Sequence, residues 1–356
     1  MSKKIVVQLV TWNGEKYMPF LFDSLKKQTS TDWELLILDN SSEDGTVFAI
    51  EKQLEDLPFP VTFYKEQKNY GFVGGHNRLY DTHSADYVVL LNQDMYLDRQ
   101  CFDTMAEYLD QHAEAAAVSP RLMRWDFAKV ETGHLEDSFS EYVDALGLHI
   151  FRNRRVVEQY TQERWAADST HSNIRGLFSK EILPVFGVSG ALPMYRNSML
   201  KKACLADGKL FDEIYHAYKE DVDLAYRLQS CGFGSVVLLG VEAFHDRTGA
   251  GPRELSDRAA SNNKKNQSSF VASNSYKNHL MTLYKNEYWQ NMVLDFPHIL
   301  WYEFKKGLWF LCNNRRVFLG LGCILRNRKV LCANRKHIRQ QRNTSWKDIR
   351  LWWKKT

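Results

Sequence analysis

Along the first 120 residues, short β-branched apolar runs alternate with stretches whose apolar residues recur every three or four positions. Ile5–Thr11 is almost continuously apolar, which predicts a strand buried on both faces. Glu15–Gln28 then places Tyr17, Phe20, Leu21, Ser24 and Leu25 at helical spacing. The same periods predict strands at Glu34–Asp39, Val61–Lys65, Tyr87–Asn92 and Ala115–Ser119, and helices at Gly45–Leu54, Gly74–Thr82 and Arg99–His112. Strand and helix alternating at this pitch predict an α/β fold: a mostly parallel sheet flanked by helices, joined by right-handed crossovers.

Beyond residue 120 the pattern loosens. Residues 121–185 have no clean period and read as an insertion or second lobe of loops, strands and short helices. Regularity returns at Phe186–Tyr195, with a helix at Ser198–Leu205 and short strands at Ser235–Leu239 and Val241–Phe244. Residues 248–275, rich in Gly, Ser, Asn and Lys, read as a mobile loop and candidate lid. From Tyr276 onward the chain reads as helical, aromatic and basic. The expected division is a catalytic domain over 1–275 and a helical region over 276–356.

In parallel sheets ligands sit beyond the carboxyl ends of the strands. Those ends carry Thr11-Trp12-Asn13-Gly14, then Asp39-Asn40-Ser41-Ser42-Glu43-Asp44-Gly45, then Asn69 to Asn77, then Asn92-Gln93-Asp94. All four loops are polar or glycine-rich and are expected on one rim. Asp39 and Asp94 each end an apolar run, where a carboxylate can take a ribose hydroxyl or a divalent cation, or simply cap a turn. Gly71 to Asn77 is not G-x-G-x-x-G and lacks the acid of a dinucleotide site. Downstream, Glu220-Asp221-Val222-Asp223 puts three acids in four residues. That is either a salt-bridged helix start, with Asp223 and Arg227 as a weak i,i+4 pair, or a carboxylate able to deprotonate a hydroxyl. His245 ends a strand and precedes Asp246-Arg247, and Arg247 reads as a phosphate partner or an ion pair.

Composition excludes disorder, collagen-like repeats and coiled coils: 44% of the 356 residues are hydrophobic and 25% charged. The net charge of +4 is a cancellation. Residues 301–356 hold 15 basic and 2 acidic residues, +13, while the first 300 hold 32 basic and 41 acidic, −9. Six of ten tryptophans fall in the last 68 residues, and Leu300, Trp301, Phe304, Leu308 and Leu311 share one helical face. A basic, Trp- and Leu-rich amphipathic helix suits an anionic membrane surface, whereas the alternative is a helical subdomain packing its aromatic face on the body. No run of about 18 apolar residues exists to span a bilayer. Six cysteines without C-x-x-C spacing, behind Met1-Ser2-Lys3-Lys4, read as free thiols in a cytoplasmic protein, and no nucleic-acid-reading motif is present.

Taken in order, these motifs resemble family 2 glycosyltransferases of the GT-A fold, in particular a bacterial rhamnosyltransferase-like branch. The likeness extends over about residues 3–290. It implies that Thr11, Asn13 and Asp39 line a nucleotide pocket, that Asn69, Gly71 and Asn77 border nucleotide and donor sugar, and that Asn92 belongs to the same motif as the metal-binding Asp94. It further implies His245 near metal and diphosphate, Asp221 as catalytic base and Glu220 beside it orienting the acceptor. Asn92-Gln93-Asp94 retains only the last acid of a D-x-D motif, so Mg²⁺ or Mn²⁺ is expected to bind together with the diphosphate. The implied reaction is inverting transfer of a sugar, rhamnose or a related deoxy-sugar, from a dTDP- or UDP-linked donor. The acceptor would be a glycan or a polyprenyl-diphosphate-linked sugar in cell-surface polysaccharide synthesis, at the inner face of the membrane through residues 296–356. The alternatives are another nucleotide-binding α/β enzyme, such as a nucleotidyltransferase, or an inactive glycosyltransferase-like membrane scaffold.

Overall fold

In the computed structural model the described residues are 4–55, 57–130, 133–169, 172–247, 265 and 267–354. Strands β1 (Ile5–Thr11), β2 (Trp33–Asp39), β3 (Val61–Lys65) and β4 (Tyr87–Leu91) pair in parallel in the order β3-β2-β1-β4. Helices α1 (Met18–Lys26), α2 (Thr46–Leu54) and α3 (Gly71–Tyr80) link them. Ile5, Val7 and Leu9 enter one core with Met18, Leu21 and Phe22, while Val6 joins Leu36, Leu38 and Leu79 in another. The near-continuous apolar run of β1 thus reflects burial on both faces.

The sheet continues through β5 (Met95–Leu97), β6 (Ala115–Trp125), β7 (Phe139–Ala145), β10 (Ile182–Val185), β11 (Met194–Arg196) and β12 (Gly234–His245). β12 is parallel to β6, whereas β11, β10, β5 and β7 add antiparallel pairings. Helix α4 (Cys101–Gln111) precedes β6. Two outcomes differ from the sequence pattern. The two short strands expected around residue 240 form the single strand β12, because the register shift between Leu238 and Glu242 absorbs Gly240 without ending the pairing. The aperiodic stretch 121–185 contributes β7 and a separate ribbon of β8 (Leu148–Ile150) and β9 (Val156–Glu158), followed by the one-turn α5 (Ser172–Arg175). These pieces are too short to show a period.

Helices α6 (Asn197–Ala203) and α7 (Glu220–Ser230) cover the second face. Most of the expected lid, residues 248–264 and 266, lies outside the described residues. Its end is helical: α8 runs Ser269–Asn286, with the Ser268 hydroxyl accepting from the Val271 N–H. Then follow α9 (Trp289–Leu294), α10 (Phe296–Asn313), a 3-10 turn (Arg315–Gly320), α11 (Leu321–Arg326), α12 (Arg328–Gln341) and α13 (Trp346–Lys354). The aromatic content of this region divides. Trp353 is buried, and Trp346 and Trp352 pack beside it, in a cluster with Leu148, Ile150 and Tyr226 of the body. The apolar face of α10 stays exposed.

Candidate active site

The loops at the carboxyl ends of β1, β2, β3 and β4 are laced together by side-chain bonds to backbone. Gln93 clamps Trp12 from both sides, its Oε1 accepting from the Trp12 N–H at 2.9 Å and its Nε2 donating to the Trp12 carbonyl at 3.1 Å. Asn13 Oδ1 accepts from the Glu43 N–H, and the Asn13 N–H donates to Ser42 Oγ. Asn40 does the same for the next loop, accepting from the Tyr70 N–H and donating to the Gly71 carbonyl, both at 3.0 Å. Four polar loops therefore form one rim. Asn13 and Ser41 hold positive φ, a cost that loop cross-bonding offsets.

Within this rim Thr11 and Asp39 are buried and adjacent, the Thr11 hydroxyl donating to Asp39 Oδ1 at 3.2 Å. Asp39 also accepts from the Ser42 N–H and hydroxyl at 2.9 and 2.5 Å. Asn69 Oδ1 caps the Gly71 N–H at 2.7 Å. Gly71 is required here: its φ is +72°, and a Cβ would sit 2.5 Å from the His216 carbonyl. Asn77 faces inward instead, its amide donating to the Phe211 carbonyl and accepting from the Phe211 N–H, both at 2.9 Å. It ties the loop before α7 to α3. The backbone N–H of Asn92 donates to the Ala191 carbonyl, fastening the Asn92-Gln93-Asp94 turn to the segment with Gly190.

β12 brings His245 against Asp94, Nε2 lying 3.3 Å from Asp94 Oδ1. On its other side Nδ1 meets Asp144 Oδ2 at 2.9 Å. Asp144 is fully buried on β7 and reaches His245 because β7 and β12 flank the same stretch of β6. Burial alone would lower the imidazole pKa, but Asp94 and Asp144 outweigh it and raise it to about 10. At neutral pH the ring is an imidazolium held between the two carboxylates, and it would offer Nε2 to a divalent ion only on giving up that proton. Among the described residues no cluster of three His, Cys, Asp or Glu is poised for a metal. The chain thus offers one partly exposed carboxylate and one imidazole, which fits a divalent ion that shares its coordination with a diphosphate. Arg247 is engaged by Glu158 and lies 3.7 Å from Asp144. The ion-pair reading of Arg247 is the one observed.

The second half of the site is the start of α7. His216, Tyr218 and Lys219 all have positive φ, at 63°, 73° and 71°, immediately before Glu220-Asp221. Such strain in non-glycine residues is costly and must be held by surrounding structure. Asn278 of α8 does that holding, its Nδ2 donating to the carbonyls of Tyr215, Ala217 and Tyr218. Asp221 is partly exposed at the helix start, with Gly190 and Phe72 beside it. Burial raises its pKa, opposed by the Lys219 ammonium and the Val222 N–H. Glu220 is buried with Oε2 unpartnered among the described residues. Burial, and then the charge of Asp221, push its pKa up to about 8. At neutral pH Glu220 is therefore largely protonated beside a partly exposed Asp221.

The third acid behaves differently. Asp223 is fully buried, 3.1 Å from both Arg227 and Lys285, and accepts from Asn286 at 2.7 Å. Arg227 continues to the carbonyls of Ala203 and Leu210. The expected weak surface pair is a buried network that seats α7 on α6 and α8. Sequence reasoning missed Asp144, Glu158, Asn278 and Gln93. Polar residues alternating with apolar ones at Tyr142, Val143, Asp144 and Ala145 were a trace of β7, but nothing local pointed to β12.

Residues 6–179 match the family model described as Glycosyl transferase family 2. The N-acetylglucosaminyl-diphospho-decaprenol L-rhamnosyltransferase of Mycobacterium tuberculosis is 23% identical over 278 residues, spanning 74% of this chain and 83% of that protein. Poly(ribitol-phosphate) beta-N-acetylglucosaminyltransferase TarS of Staphylococcus aureus is 29% identical over 112 residues, 31% of this chain, and the match spans only 19% of TarS. Among solved structures, GalNAc-T7 with UDP, GalNAc and Mn²⁺ aligns over 80% of this chain and 48% of its own, with TM-score 0.57 and 10% identity, a likeness of fold. Residues 6–179 therefore carry a domain of glycosyl transferase family 2, within an α/β fold of the GT-A type.

Proposed function

We propose that this glycosyltransferase moves a sugar, with rhamnose or a related deoxy-sugar as the preferred reading, from a dTDP- or UDP-linked donor to a hydroxyl, with inversion. The acceptor is a glycan or a polyprenyl-diphosphate-linked sugar of cell-surface polysaccharide synthesis. The observation that carries the reading is the Asp94–His245 corner joined to a partly exposed Asp221 through the Asn92–Ala191 hydrogen bond and Gly190.

Thr11, Asn13, Asp39 and Ser42 form a polar recess suited to base and ribose, with Asp39 available to a ribose hydroxyl. Asn69 and Gly71 hold the adjoining turn open. Asp94 and His245 would hold Mg²⁺ or Mn²⁺ together with the diphosphate, and the bound ion would neutralise charge on the departing group. Asp144 fixes the ring of His245 so that Nε2 faces Asp94. Asp221 accepts the acceptor's hydroxyl proton as that oxygen attacks the anomeric carbon opposite the leaving diphosphate, so configuration inverts. Glu220, carrying a proton at neutral pH, orients Asp221 or the acceptor by hydrogen bonding.

The sugar and acceptor classes are supported by the rhamnosyltransferase relative, whose name specifies a diphospho-decaprenol acceptor. The test is a panel of nucleotide sugars with Mg²⁺ or Mn²⁺ and an N-acetylglucosaminyl-diphospho-polyprenol acceptor, with product configuration read by NMR. Release of nucleoside diphosphate with an inverted product supports the reading. A product that retains the donor configuration would sink it.

A further inference from the structure

The C-terminal helices leave one large apolar surface uncovered. α8 is locked to the body through Lys285, 2.7 Å from Asp212 and 3.1 Å from Asp223. α10 leans on that scaffold by one edge only. Ile299 and Phe310 are its buried residues, Phe310 lying against Tyr276 at a ring separation of 5.2 Å. Glu303 turns inward to His279 at 2.8 Å. Along the opposite edge, Phe296, Leu300, Trp301, Phe304, Leu308 and Leu311 are 48–60% exposed. Their spacing of three and four residues makes one continuous stripe, in which the rings of Trp301 and Phe304 stack on each other at 6.0 Å. A soluble surface seldom carries such a stripe without a partner.

We infer that this stripe docks onto an anionic lipid bilayer, with α10 lying in the plane of the interface and its apolar edge among the acyl chains. Charge selects this occupant. Residues 301–356 carry 15 basic and 2 acidic residues. The two acids, Glu303 beside a neutral His279 and Asp348 accepting from Ser345, keep their charge but are outnumbered 15 to 2 by basic residues. α10 runs directly into exposed Arg315 and Arg316, and the following turns expose Leu319 and Leu325 beside Arg326 and Arg328. A second copy offering the same face would set like charge against like, whereas anionic headgroups complement it. No helix among the described residues is long and apolar enough to cross a membrane, which leaves the in-plane orientation.

The inner edge of α10 connects this surface to the site. Asn278 of α8 holds the turn before Glu220-Asp221, and the next residue, His279, pairs with Glu303 on the inner edge of α10 at 2.8 Å. The bilayer would thus lie on the side of the site that carries Asp221. This last step rests on Asp221 being the base; the docking itself does not.

The test uses the full chain and needs no turnover. Flotation is measured with phosphatidylcholine vesicles and with vesicles containing phosphatidylglycerol. Wild type is compared with the triple variant Trp301→Ala, Phe304→Ala, Leu308→Ala and with Arg315→Glu, Arg316→Glu. Wild type should float with the anionic vesicles, and each variant should partition roughly tenfold less at unchanged thermal stability. The charge-reversed pair should also lose the salt sensitivity of binding. Equal flotation of wild type and both variants, or no flotation of wild type, would overturn the inference. So would sedimentation showing that the stripe instead holds two copies together, in a dimer that the triple variant abolishes. Loss of vesicle binding with transferase activity on a short-chain acceptor intact separates this inference from the catalytic reading.

Discussion

Two acids one bond apart in sequence have opposite surroundings, and that contrast defines the site's proton chemistry. Asp221 is partly exposed while Glu220 is buried; burial raises the pKa of both, and the charge of Asp221 raises that of Glu220 further. A base with a raised pKa is ionised above that value and disabled below it, so kcat/KM should fall as pH drops through it. Glu220, with its pKa at about 8, is neutral while Asp221 titrates, so Glu220→Gln should leave this acid limb in place; a limb that moves to lower pH would show that Glu220 carries charge beside Asp221. Asp144 invites a second test. Asp144→Asn keeps the size of the side chain but weakens its hold on His245 Nδ1, and losing a partner of this kind typically costs 10- to 100-fold in metal affinity. Mn²⁺ titration in the presence of nucleoside diphosphate, at a temperature where the variant's unfolding curve shows it folded, should show that loss. Asp94, His245, Glu220 and Asp221 stand out in the sequence as candidates because each sits at a strand end or helix start. Asp144 does not, because its meaning comes only from β7 and β12 lying on either side of one stretch of β6.

Elements show the same division between local and non-local information. The alternation through Ser119 was readable because each strand and helix there carries its own period. Residues 121–185 resisted because β8, β9 and α5 are three or four residues long. What holds that region in place is ionic. Arg154, fully buried on the β8–β9 ribbon, donates to Glu287 and Asp295 and lies over the ring of Trp353. Arg152 and Arg350 converge on the same Asp295. The ribbon, the α8–α9 junction and α13 thereby share one buried network. Removing a single member leaves uncompensated charge, so Asp295→Ala should cost about 3–5 kcal/mol in denaturant unfolding. Burial opposes ionisation of Asp295, yet Arg350, Arg152 and Arg154 hold its pKa down at about 2. An unfolded aspartate titrates near 3.9, so this stabilisation is complete above about pH 5 and is lost as pH falls toward 2. Acid unfolding of wild type should show that loss and Asp295→Ala should not.

For the molecule as a whole, a catalytic body of −9 carries helices of +13, and the structure gives each charge a distinct place. Asp94 and Asp144 bracket His245, and Glu220 and Asp221 open α7. The basic residues surround an exposed apolar stripe, while Trp346, Trp352 and Trp353 turn inward against the ribbon. The sequence carried the amphipathicity of residues 300–311 but not which tryptophans would be covered, since that depends on where α13 docks. The central claim concerns Asp221, which lies beside Gly190 in the segment whose Ala191 carbonyl fastens the Asn92-Gln93-Asp94 turn. It is tested most directly by nucleoside-diphosphate release from the accepted nucleotide sugar with Mn²⁺ and acceptor, comparing wild type with Asp221→Asn. The account predicts a loss of about 10²–10⁴-fold in kcat with donor affinity unchanged, and full turnover by Asp221→Asn would contradict it.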